Sequence, residues 1–193
     1  MNNIFKLTLL SLCLPLALAQ AADHSIVTKT SFAVSTASAS ERFEDTVLTT
    51  EGFLKRFDPS GVEIKKKVIN GNAFEYLVVK KFLGIAKEVE MIGTMNFERT
   101  TNGCSNNETA YLGTIDFTGS QPIITDNIEN FTLLLCSTEK SKNSLSVKVR
   151  STLYYKGEKL GFIVEKFVTS VIKDQVEAII SAIKAEAQSA RKI

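Results

Sequence analysis

The chain has 193 residues, a formal net charge of +2 and no tryptophan. So mild a charge, with no basic stretch carrying interleaved aromatics, argues against a nucleic-acid partner. One histidine and three cysteines make a poor zinc set, so neither a metal nor a cofactor is expected.

Lys6 precedes an apolar run at residues 7–19 that contains Pro15. The run is short for a bilayer span, and Ala19-Gln20-Ala21 matches the small-x-small rule for signal cleavage. Residues 1–21 therefore read as a signal peptide cleaved after Ala21. Residues 22–193 read as one domain, periplasmic or secreted. Cys13 follows Leu12, where a lipoprotein signal wants Gly or Ala, and it leaves with the signal. Roughly 170 residues remain, enough for a sizeable core. No later run is long and apolar enough to span a membrane.

Residues 24–36 carry Ile26, Phe32 and Val34 on one face with Thr28 and Thr30, a first strand. Ser38 and Glu41 have the spacing of a capping box, in which each side chain takes a free amide of the helix start. Phe43, Val47 and Leu48 form the stripe of that helix. Gly52 marks a break, and Phe53, Leu54 and Phe57 make a second short apolar face. Asp58-Pro59-Ser60-Gly61 is a stop and turn.

Six further strands follow. Val62, Ile64, Lys66 and Val68 alternate with Glu63, Lys65, Lys67 and Ile69 before the hairpin residues Asn70-Gly71-Asn72. The strand at 74–82 is apolar on both sides, and Leu83-Gly84-Ile85-Ala86 reads as a bend. Val89, Met91, Met95 and Phe97 mark a fourth strand, where Gly93 allows a bulge or sharp curvature. A polar loop at 100–107 holds Cys104. Tyr111, Ile115 and Phe117 mark a fifth strand, and residues 128–137 a sixth. In the seventh, Leu145, Val147, Val149, Leu153 and Tyr155 oppose Lys148, Arg150 and Thr152, giving one covered face and one wet face. A helix then runs from about Phe162 to Ala190. Val164, Val168, Val171, Ile172, Val176, Ile179, Ile180 and Ile183 form a broad stripe that must bury against something, and the sheet is the partner of matching size.

Cys104 and Cys136 remain after export. An even pair in an oxidising compartment reads as a disulfide, with two free structural thiols as the alternative. Closing that loop stabilises by about 3–4 kcal/mol in the chain-entropy model.

This order of elements resembles the helix-grip superfamily (SRPBCC), which includes START lipid-transfer domains, the birch-pollen-allergen family and polyketide cyclase/dehydratase-like proteins. Ser38-Ala39-Ser40-Glu41-Arg42-Phe43 is similar to the superfamily's entry into its first helix, and Gly157-Glu158-Lys159-Leu160-Gly161 to its approach to the last. The resemblance implies an α+β helix-grip fold: a seven-stranded curved antiparallel sheet, two short helices after strand 1, and a long C-terminal helix packed across the sheet. It also implies a cavity between sheet and last helix for a lipid, sterol, polyketide or other apolar molecule. The chain departs from most relatives in its export signal and its two late cysteines.

Little in the sequence points to catalysis. His24 sits near the expected mature N-terminus. Glu88 and Glu90 face away from Val89 and Met91, and Asp116 away from Ile115 and Phe117. The glycine fingerprints of nucleotide sites and a helical His pair for zinc are both missing. Asn107-Glu108-Thr109 and Asn130-Phe131-Thr132 read as chance sequons. Lys65, Lys66, Lys67, Lys80 and Lys81 lie on adjacent strands. They offer contact with an anionic membrane surface or serve as an edge-protecting wet face.

Phe74, Tyr76, Met91, Met95, Phe97, Tyr111, Phe117, Phe131, Phe167 and Val171 are the candidate pocket. Large flexible apolar walls suit a hydrophobic ligand, and the same residues would equally make a filled core. The expected function is non-catalytic binding of a hydrophobic small molecule or lipid. The alternatives are a cyclase, dehydratase or hydrolase using the same pocket, and a filled-core interaction module of the envelope.

Overall fold

The computed structural model describes residues 24–82, 85–117, 119–157 and 160–189. The expected signal peptide and the Leu83-Gly84 part of the expected bend lie outside them. The elements are β1 (His24–Ser35), α1 (Ala39–Thr49), α2 (Glu51–Arg56), β2 (Glu63–Asn70), β3 (Ala73–Phe82), β4 (Ile85–Thr100), β5 (Thr109–Asp116), α3 (Pro122–Thr125), β6 (Ile128–Ser141), β7 (Ser144–Tyr155) and α4 (Phe162–Gln188).

All seven strands join one antiparallel sheet in the order β1-β7-β6-β5-β4-β3-β2. From β2 to β7 each strand lies beside the next, as short connections require. β1 closes onto β7, so α1 and α2 carry the chain from one edge strand to the other. The α4 helix contacts β1, α1 and α2. This is the helix-grip α+β arrangement.

The inner face of the sheet follows strand alternation: Phe74, Tyr76 and Val78 of β3 are buried, as are Leu145, Val147, Val149, Leu153 and Tyr155 of β7. Gly93 keeps the register of β4 without a bulge. A side chain there would collide with the carbonyl oxygen of Asp116, so glycine lets the strands approach closely at that point. Cys104 and Cys136 are bonded, with Cα atoms 5.7 Å apart, and tie the β4–β5 loop to β6.

Local detail departs from expectation at five places. Ile85 and Ala86, expected in a bend, are the first residues of β4. Ser38 stands in a left-handed conformation, φ 51°, and its side chain makes no capping bond. The capping hydroxyl needs extended backbone to reach the first turn. Here the start of α1 is held through the backbone instead, with the Ala39 amide donating to the Lys142 carbonyl at 3.1 Å. The break after α1 falls at Thr50, φ 60°, rather than at Gly52. Gly52 is needed for space, because a Cβ there would lie 2.6 Å from the Glu186 carboxylate of α4. The α3 turn was not expected, although Pro122 at its start fits the first helical position. β6 continues past Ser137 to Ser141.

Candidate functional site

A cavity of about 160 Å³ lies between the sheet and residues 168–179 of α4. Its floor is built strand by strand: Phe74, Tyr76 and Val78 from β3, Met91 and Met95 from β4, Ile115 from β5, Phe131 from β6, and Leu153 and Tyr155 from β7. Alternation points these side chains to one face, and the curved sheet brings them around one hollow. The roof is Val168, Val171, Ile172, Gln175 and Ile179 of α4. Their spacing of three and four residues keeps them on one side of the helix. Leu54, Phe57 and the 59–62 turn close one side, and Asn127, Ile128 and Leu160 another.

Among the described residues lining it there is no carboxylate, amine, imidazole or thiol. Polar atoms come from Tyr76, Tyr155, Ser60, Asn127 and Gln175. The Tyr76 hydroxyl lies within donating reach of the Phe57 carbonyl at 3.1 Å and the Leu54 carbonyl at 3.3 Å. Burial, with a smaller contribution from the Asp58 charge, pushes its pKa up, so the phenol stays protonated and engaged with α2 and the loop after it. The Tyr155 hydroxyl accepts from the Leu160 amide at 3.5 Å. At the rim, the Gln175 amide nitrogen donates to the Ser60 carbonyl at 2.9 Å, and the Ser60 amide donates to Gln175 Oε1 at 3.0 Å. This two-bond clasp fastens α4 to the turn before β2.

Of the residues singled out in the sequence, Phe74, Tyr76, Met91, Met95, Phe117, Phe131 and Val171 line the hollow. Phe97 and Tyr111 do not. Both are buried on the inner face, but farther along β4 and β5, where α1 and α2 cover the sheet. There Phe97 meets Phe53 edge-to-face at 6.0 Å, and Tyr111 meets Phe43 at 5.7 Å. Alternation assigns a face, not a position along the strand. The side chain of Phe167 lies outside the described residues. Val78, Ile115, Leu153 and Tyr155 also line the cavity and share the same alternation signal. Gln175, a polar residue within the apolar stripe, carries no such signal.

Each described lysine of the candidate surface patch has a partner. Lys65 pairs with Glu63 at 2.6 Å, and Lys66 with Glu75. Lys67 donates to Asp58 at 2.8 Å and to the carbonyls of Lys55 and Phe57, so it braces the loop at the cavity's edge. The side chains of Lys80 and Lys81 lie outside the described residues. Among those residues no helix is long and apolar enough to cross a membrane.

No family model matches the chain, and no curated protein matches it in sequence. Solved structures do resemble it. Truncated norcoclaurine synthase from Thalictrum flavum matches 90% of this chain and 100% of its own, at 15% identity and a TM-score of 0.49. A START superfamily protein from Mycobacterium smegmatis matches 83% and 96%, at 12% identity and a TM-score of 0.47. The Zhui aromatase/cyclase from Streptomyces sp. R1128 matches 85% and 94%, at 10% identity and a TM-score of 0.46. The activities in these names belong to those proteins.

Proposed function

We propose that this chain is an exported, non-catalytic binder of an uncharged apolar molecule, held between the sheet and α4. One observation carries the reading: a cavity of about 160 Å³ whose described walls are apolar and hold no ionisable group other than two tyrosines. An apolar cavity of about this size takes up an apolar guest. The guest is stabilised by the area it removes from water, about 25 cal/mol per Å². General acid–base chemistry needs a proton carrier with a pKa near the working pH. Tyr76 is displaced away from that range. Export is supported by the leader pattern ending at Ala21 and by the bonded pair Cys104–Cys136.

Native mass spectrometry of the protein, gently isolated from the cells that make it, tests both parts. The expected species starts at Ala22, retains the disulfide and carries a neutral apolar adduct, or takes up an apolar dye when offered one. A homogeneous ligand-free species that takes up no dye overturns the binding reading, and an intact Met1 overturns cleavage.

A further inference from the structure

We infer that the aromatic pair Phe97 and Phe53, standing behind Met95, Ile115 and Leu54, backs the end of the cavity and restricts it to compact guests, about the size of one ring, against long acyl chains. This rests on the binding reading above and adds what limits the guest. Met95, Ile115 and Leu54 are the last residues to line the hollow at this end. One alternation step beyond Met95 stands Phe97, and beside Leu54 stands Phe53. Neither lines the cavity itself; they form the layer behind Met95 and Leu54, with their rings edge-to-face at 6.0 Å and 74°.

The seat of the Phe97 ring is made by its cross-strand partner. Phe97 pairs with Gly113, and a Cβ at position 113 would collide with the ring. The ring thus occupies space that a side chain of β5 would otherwise take. Behind it stand further rings and an ion pair. Phe43 packs on Tyr111 and on Phe32, and Arg99 pairs with Glu44 at 2.6 Å over the hydroxyl end of Tyr111. These groups stand in the way of a guest extending past Phe97 along the inner face.

The size follows. A cavity of about 150 Å³ is filled by benzene, and a palmitoyl chain has more than twice benzene's carbons. The surplus carbons of such a chain would stay at the Ser60–Gln175 rim, in water, and add nothing to affinity.

A homologous series of n-alkan-1-ols, titrated by calorimetry into the full mature chain, reads the wall directly. Each buried methylene strengthens binding about fourfold. The expected wild-type series rises at that rate to a cut-off of about six to eight carbons, then goes flat. In Phe97→Ala the cut-off moves out by several carbons, and in the milder Phe97→Leu by one or two. Circular dichroism confirms that the variant used is folded. A wild-type series that keeps rising through dodecanol, or a cut-off that neither folded variant moves, overturns the wall while leaving the binding reading intact. If no alkanol binds at all, the binding reading fails and takes this inference with it.

Discussion

Along α4, the half from Val176 onward and the half before it repeat the same apolar spacing, yet they meet different surroundings. In the C-terminal half, Val176, Ile180, Ile183 and Ala187 are all buried away from the cavity, and Ile183 is 0% exposed. Polar fasteners finish that end: Arg42 donates to the Ser189 carbonyl at 3.0 Å, and Arg56 pairs with Glu186 at 2.5 Å. In the N-terminal half, Val168, Val171 and Ile172 face the cavity. Its described polar tie to the rim turn is the clasp between Gln175 and Ser60. An apolar stripe requires water to be excluded. It does not decide whether protein atoms or a guest do the excluding.

That contrast sets the largest expected difference. Ile183→Ala empties a filled site and is expected to cost toward the upper end of about 2–5 kcal/mol, because the packed surroundings relax only partly. Val171→Ala removes atoms that already border a void and are half-exposed, so its cost should stay under about 1 kcal/mol. Urea unfolding of both variants, read by midpoint at constant m-value, makes the comparison. Equal costs would mean that the two halves are packed alike.

The sequence made the fold legible because each element has one strong period. The β7 alternation and the α4 stripe leave few choices of buried face, and the antiparallel order follows from short connections. The cavity was legible only in part. Phe74, Tyr76, Met91 and Phe97 carry the same inward signal. The difference between a residue that lines a hollow and one that plugs it depends on what lies opposite. Phe97 meets Phe53 of α2, whereas Met91 borders the hollow, and no local pattern encodes that difference. The capping box failed for a related reason: Ser38 stands in the left-handed region, outside the extended backbone that a capping bond needs, where the chain is tied to Lys142 through the Ala39 amide. The lysine run on β2 gave charge but not partners, and those partners, Glu63, Glu75 and Asp58, lie on and around the sheet edge.

A smaller effect should come from the clasp. Removing the Gln175 side chain in Gln175→Ala deletes two rim hydrogen bonds, each worth about 0.5–1.5 kcal/mol net and less where water competes. The expected result is a change in global stability of about 1 kcal/mol or less. Amide hydrogen exchange in residues 162–175 should nevertheless quicken about threefold to tenfold, because local opening draws on those bonds. Amides of Val176 to Ala187, which open with the whole fold, should quicken only as far as global stability falls, and by less than residues 162–175. Uniform acceleration along α4 would show that the helix opens as one unit and that its two halves are not separate.

The smallest effect lies outside α4 and tests whether the two halves respond separately to a global change. On the outer side of the sheet, Glu108 accepts from Lys148 at 2.7 Å and from the Ser105 amide at 3.0 Å, beside the disulfide. The Lys148 hydrogen bond, and after it the Ser105 amide, holds the Glu108 carboxyl below its ordinary pKa of 4.5. The native state thus binds this proton less readily than the unfolded chain does. Its contribution is complete above the ordinary carboxyl pKa and fades as pH falls through the lowered native value. Acid should therefore lower the global stability that protects Val176 to Ala187, while leaving the cost of local opening before Gln175 unchanged. The difference in protection factor between the halves should shrink on acidification, and shrink less in Glu108→Gln. A difference that shrinks equally in both proteins would assign the acid response to other carboxylates.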